Sequence, residues 1–245
     1  MTKSYGLIGY PLSHSFSKKY FTEKFVKENI TDCEFNAFAI EKIDLLPQLI
    51  KDNPTLKGLS VTIPYKESVI PFLGELDVTA KKIGAVNCIK ITDGKLIGYN
   101  TDAFGFKQSI KPFLESHHER ALIIGTGGAS KAVEYVLKEI GLSCHFVTRT
   151  KTSENQFTYD ELNENMINAF KLIVNASPVG MFPNVDNAPK IPYEFISSAH
   201  LLYDLVYNPA ETEFLKRGKA KGAATVNGLS MLHQQAEEAW RIWNK

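Results

Sequence analysis

The sequence predicts a two-domain α/β protein, and three observations carry that prediction. Short apolar runs of strand length alternate with amphipathic stretches through both halves of the chain. A glycine-rich turn, Gly125-Thr126-Gly127-Gly128-Ala129-Ser130, follows one of these runs near the middle, and Asp93-Gly94 lies between two β-rich segments. Alternating strands and helices build parallel sheets covered by helices, whereas Asp-Gly between strands favours a two-residue hairpin and hence an antiparallel pair. The N-terminal domain is therefore expected to contain a mixed sheet and the C-terminal domain a doubly wound parallel one. With 245 residues the chain can bury two cores of modest size.

In chain order, residues 5–9 read as a strand, a loop passes through Pro11, and residues 17–28 form an amphipathic helix. Residues 34–40 alternate polar with apolar for part of their length and read as a strand. Residues 59–63 are β-rich and stop at Pro64, which cannot donate to a ladder. Residues 85–92 and 95–99 flank the Asp-Gly turn. A helix over 101–114 is expected at the domain junction, followed by strands at 121–124, 144–148, 171–175, 200–205 and 223–226. The helix after the glycine turn covers 131–140. Over 230–243, Leu232, Ala236, Ala239, Trp240 and Trp243 make an apolar stripe at helical spacing. That stripe is expected to return to the first domain, so the domains read as 1–101 with 227–245, and 102–226.

Composition narrows the class. Charged residues make up 22% and hydrophobic ones 44%, proportions of a soluble globular chain, and the formal net charge of +1 gives no reason to expect nucleic acid or an anionic membrane as partner. Cys33, Cys88 and Cys144 match neither a disulfide framework nor a zinc spacing, which points to reduced thiols in the cytoplasm. No signal peptide, membrane span or metal site is expected. His117 and His118 read as a solvated turn, and Met181 and Phe182 as core or loop packing.

An apolar strand, a glycine turn and a helix start form the βα unit of a Rossmann-like dinucleotide-binding domain, in which backbone N–H groups and the helix dipole hold a pyrophosphate. The segment after the next strand, Val147-Thr148-Arg149-Thr150-Lys151, carries cations where an NAD-binding chain would carry a carboxylate. Arg149, helped by Lys151, would attract a 2′-phosphate, so the expected cofactor is NADP. A redox reaction at an alcohol or ketone also needs a group that moves the hydroxyl proton. Lys66 lies just past a strand end, where α/β sheets bind ligands, and Asp102 opens a helix. Taken alone, Lys66 reads first as an ordinary exposed lysine, and Asn100-Thr101-Asp102 as a helix cap.

Longer motifs occur in a fixed order: Gly9-Tyr10-Pro11-Leu12-Ser13-His14-Ser15-Phe16-Ser17, Val61-Thr62-Ile63-Pro64-Tyr65-Lys66, Gly84-Ala85-Val86-Asn87, Asn100-Thr101-Asp102 and the glycine turn. Asn175-Ala176-Ser177-Pro178-Val179-Gly180-Met181, Tyr203-Asp204-Leu205-Val206-Tyr207 and Asn227-Gly228-Leu229-Ser230-Met231-Leu232 follow. In these the chain resembles the shikimate dehydrogenases along nearly its whole length. The resemblance implies reversible, NADP-linked reduction of 3-dehydroshikimate to shikimate in aromatic biosynthesis, by a monomer or homodimer whose partner is a small-molecule substrate. It implies Lys66 as the group that protonates the oxygen, with Asp102 hydrogen-bonded to it. Ser15, Ser17 and Tyr207 would bind the substrate carboxylate, and Thr62, Asn87 and Gln235 its hydroxyls. The cofactor would lie on Gly125, Thr126, Gly127, Gly128, Ala129, Arg149, Leu205 and Gly228.

Departures from the family pattern bear on selectivity. Thr148 stands where asparagine often precedes the arginine, Ser153 where a second basic residue is common, and Ser60 where many relatives have asparagine. They leave open relaxed NAD/NADP use and quinate as a substrate. A non-catalytic nucleotide-binding module is the alternative from another class.

Overall fold

A computed structural model describes residues 2–12 and 16–245. The chain divides into two compact units, Met1–Thr101 with Ala236–Lys245, and Asp102–Gln235. In the first, β1 (Lys3–Gly9), α1 (Phe16–Lys27), β2 (Cys33–Ala39), α2 (Leu46–Asp52), β3 (Leu56–Val61), β4 (Glu75–Leu76), α3 (Val78–Ile83), β5 (Cys88–Thr92) and β6 (Lys95–Tyr99) follow in order. The sheet runs β2-β1-β3-β5-β6-β4. β1 is parallel to β2 and β3, whereas β5 is antiparallel to both β3 and β6, so the sheet is mixed as expected. Thr92 pairs with Lys95, and the two residues between them turn through positive φ, 49° at Asp93 and 75° at Gly94. That is the geometry an Asp-Gly hairpin favours.

The period of two along β1 separates two cores. Ile8 joins Leu46, Leu59, Val69, Ala80 and Ile89 on one face, where α2 and α3 contribute. Tyr5 and Leu7 join Phe21, Phe25 and Phe35 on the other, together with Ala236, Ala239, Ile242 and Trp243 of α8 (Leu229–Trp243). From Ala236 onward the apolar stripe of the last helix thus belongs to the first unit, whereas Leu232 and the rest of 227–235 belong to the second. Trp243 stacks on Tyr5 with ring centroids 5.2 Å apart, and its Nε1 donates to the Ile89 carbonyl at 3.0 Å. The buried ammonium of Lys24 fastens α1 to α8 through Glu237 at 2.9 Å.

The second unit contains α4 (Thr101–Ile110, entered from the first unit), β7 (Arg120–Ile124), α5 (Gly128–Glu139), β8 (Ser143–Thr148) and β9 (Gln156–Thr158). It continues with α6 (Glu164–Ala169), β10 (Leu172–Asn175), β11 (Leu201–Asp204), α7 (Glu213–Ala220), β12 (Ala224–Val226) and the start of α8. Its sheet runs β12-β11-β10-β7-β8-β9 and every pair in it is parallel. The chain winds outward from β7 to one edge, returns to β10 and winds to the other, which is the doubly wound topology with its switch between β7 and β10. Leu122, Ile124, Ile173, Leu202 and Phe214 are completely buried within it.

Several boundaries differ from the sequence reading. β3 starts earlier and ends at Val61; Tyr65 N–H closes a turn on the Thr62 carbonyl at 2.9 Å, which ends the strand before Pro64. β5 starts at Cys88 rather than at 85, because the Val86 N–H is taken by the Lys66 carbonyl at 2.7 Å. α4 stops at Ile110 and tightens into a 3-10 turn over Lys111–Phe113, where Pro112 lacks the N–H that an α-helix needs. α5 begins at Gly128, not 131. His118 is buried, not solvated: its Nδ1 accepts the Glu115 N–H at 2.9 Å, and burial pushes its pKa down. Of the two readings of Met181 and Phe182, the loop stands and the core does not: they are 42% and 55% exposed, with their N–H groups on the Pro178 and Asn208 carbonyls. No described helix is long and apolar enough to cross a membrane, and the described residues hold no group of three or more metal-ligating side chains.

Candidate active site

In the first unit, the segment after β3 is fixed at each step. Thr62 N–H donates to the Ile8 carbonyl at 3.0 Å, and the buried Tyr65 sends its hydroxyl to the Ile40 carbonyl at 2.5 Å. Lys66 follows directly, half-buried, with its carbonyl held by Val86. Asn87 links the same region to the end of β6. Its carbonyl accepts the Val61 N–H at 2.8 Å, its Nδ2 donates to Thr101 Oγ1 at 3.0 Å, and its Oδ1 accepts the Thr101 N–H at 2.6 Å. Asn100 adds a further tie, Nδ2 to the Ala85 carbonyl at 2.9 Å. Thr62, Lys66 and Asn87 are therefore brought together on one cross-linked set of loops. Ser17 is half-buried in the first turn of α1, and Ser15 lies outside the described residues.

In the second unit, the loops at the carboxyl ends of β7, β10 and β11 converge. Gly125 has φ 103°, a conformation that favours glycine, and a side chain there would meet the Ala176 carbonyl oxygen at 3.3 Å. Gly127 precedes the first turn of α5, which has no side-chain cap and no acidic residue, and the space over its Cα is open. The hydroxyl of Ser130, fully buried under the same turn, has no hydrogen-bond partner among the described residues. Uncapped N–H groups at the start of a 12-residue helix, an open glycine and an unpartnered donor fit a pyrophosphate. Thr126 is exposed, and Gly128 and Ala129 are half-buried beside it.

Arg149 is exposed just past β8. Lys151, its expected helper, is committed elsewhere: Nζ pairs with Glu161 at 3.3 Å and lies over the Phe157 ring. Leu205 N–H donates to the Asn175 carbonyl at 2.9 Å, and Gly228 passes directly over the Leu205 carbonyl, where any side chain would collide. The second unit thus gathers Gly125, Leu205 and Gly228 near one end of its sheet. Tyr207 is half-buried, and burial raises the pKa of its phenol. Gln235 is half-buried in α8 with Nε2 on the Leu232 carbonyl at 2.9 Å. Asp102 is 5% exposed in the first turn of α4.

Sequence reasoning missed the polar ties that hold these loops. Asn100 and Thr101 read as a helix cap, yet their side chains bond back to Ala85 and Asn87. Asn175 and Asp204 pair at 3.0 Å across adjacent strand ends. The available signal was a lone polar residue closing each of two apolar strands.

Comparison with known proteins identifies the family. A family model described as the shikimate dehydrogenase substrate binding domain matches residues 7–89. The chain is 40% identical to the shikimate dehydrogenase (NADP(+)) of Carboxydothermus hydrogenoformans, over 99% of this chain and 91% of the relative. The crystal structure of shikimate dehydrogenase from Aquifex aeolicus aligns with a TM-score of 0.88 and 35% identity, covering 99% of this chain and 92% of that one. Shikimate 5-dehydrogenase from Thermus thermophilus, solved in complex with NADP(H) and shikimate, aligns with a TM-score of 0.86 and 30% identity over 99% of this chain and 93% of its own.

Proposed function

The chain belongs to the shikimate dehydrogenase family, and on that premise we propose that it catalyses the reversible, NADP-linked reduction of 3-dehydroshikimate to shikimate. The observation that carries this reading is the fixed place of Lys66, immediately after the anchored Tyr65 at the end of β3 and bonded through its own carbonyl to Val86. A proton donor works only if it is held still against the reacting atom. The bound nicotinamide supplies the hydride in reduction and accepts it in oxidation. In reduction Lys66 Nζ gives a proton to the carbonyl oxygen as the C–H bond forms, and in oxidation it takes that proton back from the hydroxyl. Asp102 is assigned to orient the lysine and to accept a hydrogen bond from a ring hydroxyl. Ser15, Ser17 and Tyr207 are assigned to the carboxylate, and Thr62, Asn87 and Gln235 to the remaining hydroxyls, since every buried polar group of such a substrate needs a partner. Residues 1–101 then serve as the substrate domain and the glycine-turn unit as the NADP domain. Three free thiols support a cytoplasmic setting.

Gly125 to Ala129 would hold the pyrophosphate, Leu205 and Gly228 the nicotinamide side, and Arg149 the 2′-phosphate. With Lys151 engaged by Glu161, Arg149 carries the phosphate contact largely alone. Arg149→Ala is expected to raise the KM for NADP about 10- to 100-fold, the worth of one charge-assisted contact, and to leave the KM for shikimate nearly unchanged. Titrating both substrates in the variant checks this. The same engagement of Lys151 favours a second reading in which NAD is also used, and Ser60, in place of the asparagine of many relatives, extends it to quinate. The deciding assay follows reduced-nucleotide formation with shikimate and quinate against NADP and NAD in turn. Turnover of shikimate with NADP above the other combinations is expected, and no turnover with any pair would leave a nucleotide-binding module without catalysis.

A further inference from the structure

Two apolar strands of the second unit, β10 and β11, end side by side on polar residues, Asn175 and Asp204, which are register partners and both completely buried. The carboxylate of Asp204 accepts from three donors and faces no counter-ion among the described residues. Oδ1 takes Asn175 Nδ2 at 3.0 Å and the Val206 N–H at 3.0 Å, and Oδ2 takes the hydroxyl of Thr212 at 2.6 Å. Thr212 is itself completely buried, and its oxygen caps α7 by accepting the Leu215 N–H at 3.4 Å. Asn175 passes the linkage on: Nδ2 also donates to the Val179 carbonyl at 3.1 Å, and Oδ1 accepts both the N–H (3.1 Å) and the hydroxyl (2.6 Å) of Ser177.

The bonds to Ser177, Val179 and Val206 end on the segments that leave β10 and β11, and the bond to Thr212 ends at the start of α7. Residues 176–179 follow β10, and the Ala176 carbonyl oxygen is the atom a side chain at Gly125 would meet first, at 3.3 Å. Residues 205–207 follow β11, and the Leu205 carbonyl lies under Gly228. We propose that Asp204 is a positioning residue of the nucleotide half-site, its ionised carboxylate holding the loops after β10 and β11 in the arrangement that receives the dinucleotide. The proposal rests on the reading of that half-site given above.

The ionised form is the one that fits the donors. A protonated carboxyl turns one acceptor into a donor, and the three groups that point at Asp204 all donate. Burial pushes the Asp204 pKa up from its ordinary 3.8 to about 6, against the pull of the hydrogen bonds from Thr212, Val206 and Asn175. The titratable groups that sense it are the phenols of Tyr193 and Tyr203, both driven upward by burial and neither titrating in this range; beyond Tyr193 lie Glu213 and Arg217 of α7. The sign follows. A carboxyl whose folded-state pKa is raised costs stability as pH rises from about 4 to about 6, so ionised Asp204 lowers stability at neutral pH. Binding has the opposite trend: affinity for the dinucleotide falls as pH drops through about 6.

The test measures NADPH binding by fluorescence titration from pH 5 to 8, with KM values and thermal midpoints, for the wild type, Asp204→Asn, Thr212→Val and Thr212→Ser. The 2′-phosphate of the ligand titrates in every protein, so the signal is the difference between wild type and variant. Asp204→Asn is expected to weaken NADPH binding about tenfold at pH 7.5, leave the KM for shikimate within about twofold, remove the additional acid limb, and not lower the thermal midpoint. Thr212→Val should weaken NADPH binding in the same direction and Thr212→Ser should restore it, which keeps the test informative if Asp204→Asn does not fold. Equal NADPH affinity and equal pH profiles in all four proteins would overturn the proposal, as would absence of NADPH binding to the wild type. NADPH binding without shikimate turnover would overturn the assigned reaction and leave Asp204 testable by the same titration.

Discussion

Lys66→Ala is expected to lower kcat for shikimate oxidation by about 10²- to 10⁴-fold, the range over which a positioned proton-transfer group contributes. The KM values for both substrates should change little, because the lost group acts on the proton rather than on binding. The fold should survive. Lys66 is half-buried, while the groups that fix the segment are the Tyr65 side chain and the backbone bond from Val86, and alanine keeps both. Steady-state rates of NADPH formation, with circular dichroism as the control for folding, check the prediction. A variant with a rate within threefold of wild type would remove Lys66 from the mechanism and leave the family assignment standing.

Trp243→Ala is expected to lower stability by about 3–5 kcal/mol, the range for truncating a buried aromatic residue. The indole is 5% exposed and packs against Tyr5 at 5.2 Å, Phe21 at 5.4 Å and Phe35 at 6.3 Å. It covers Gly58, which has no side chain to fill the space left behind. Alanine would also strand the Ile89 carbonyl that now accepts the Nε1–H. Trp243→Phe should recover most of the packing and lose only that hydrogen bond, about 1 kcal/mol. Urea unfolding of the three proteins separates the two contributions, and a loss below about 1 kcal/mol in Trp243→Ala would mean that the last helix does not complete the core.

How much of this could be read from the sequence depended on the distance over which each feature is encoded. The parallel sheet of the second unit was legible because five of its six strands are local apolar runs and the glycine turn marks the first βα unit, whereas the edge strand β9, Gln156–Thr158, is too short and polar to be read. The hairpin was legible from two residues, Asp93 and Gly94. Short helices were not: α2 and α3 span seven and six residues, too few for a period to emerge. A cap signal did exist for α3, since Asp77 accepts from the N–H groups of Thr79 and Ala80. In the candidate site, residue types at Lys66 and Gly125 to Ala129 were visible, but the Asn175–Asp204–Thr212 linkage joins three elements and no local pattern announces it. The diversion of Lys151 was hidden for the same reason. Its partner Glu161 also closes a capping box with Thr158 in the structure.

The return of the last helix to the first unit has a consequence for how the protein is made. The aromatic core around Tyr5, Phe21, Phe25 and Phe35 is completed only by residues 236–245. A ribosome that has released α1 and β1 must still synthesise the whole of Asp102–Gln235, roughly 7–27 s at ordinary elongation rates, before Trp243 emerges. Throughout that interval the second unit is acquiring every strand of its own sheet, while the first waits with one face uncovered. The aromatic face of the first unit is thus completed by residues translated after every strand of the second.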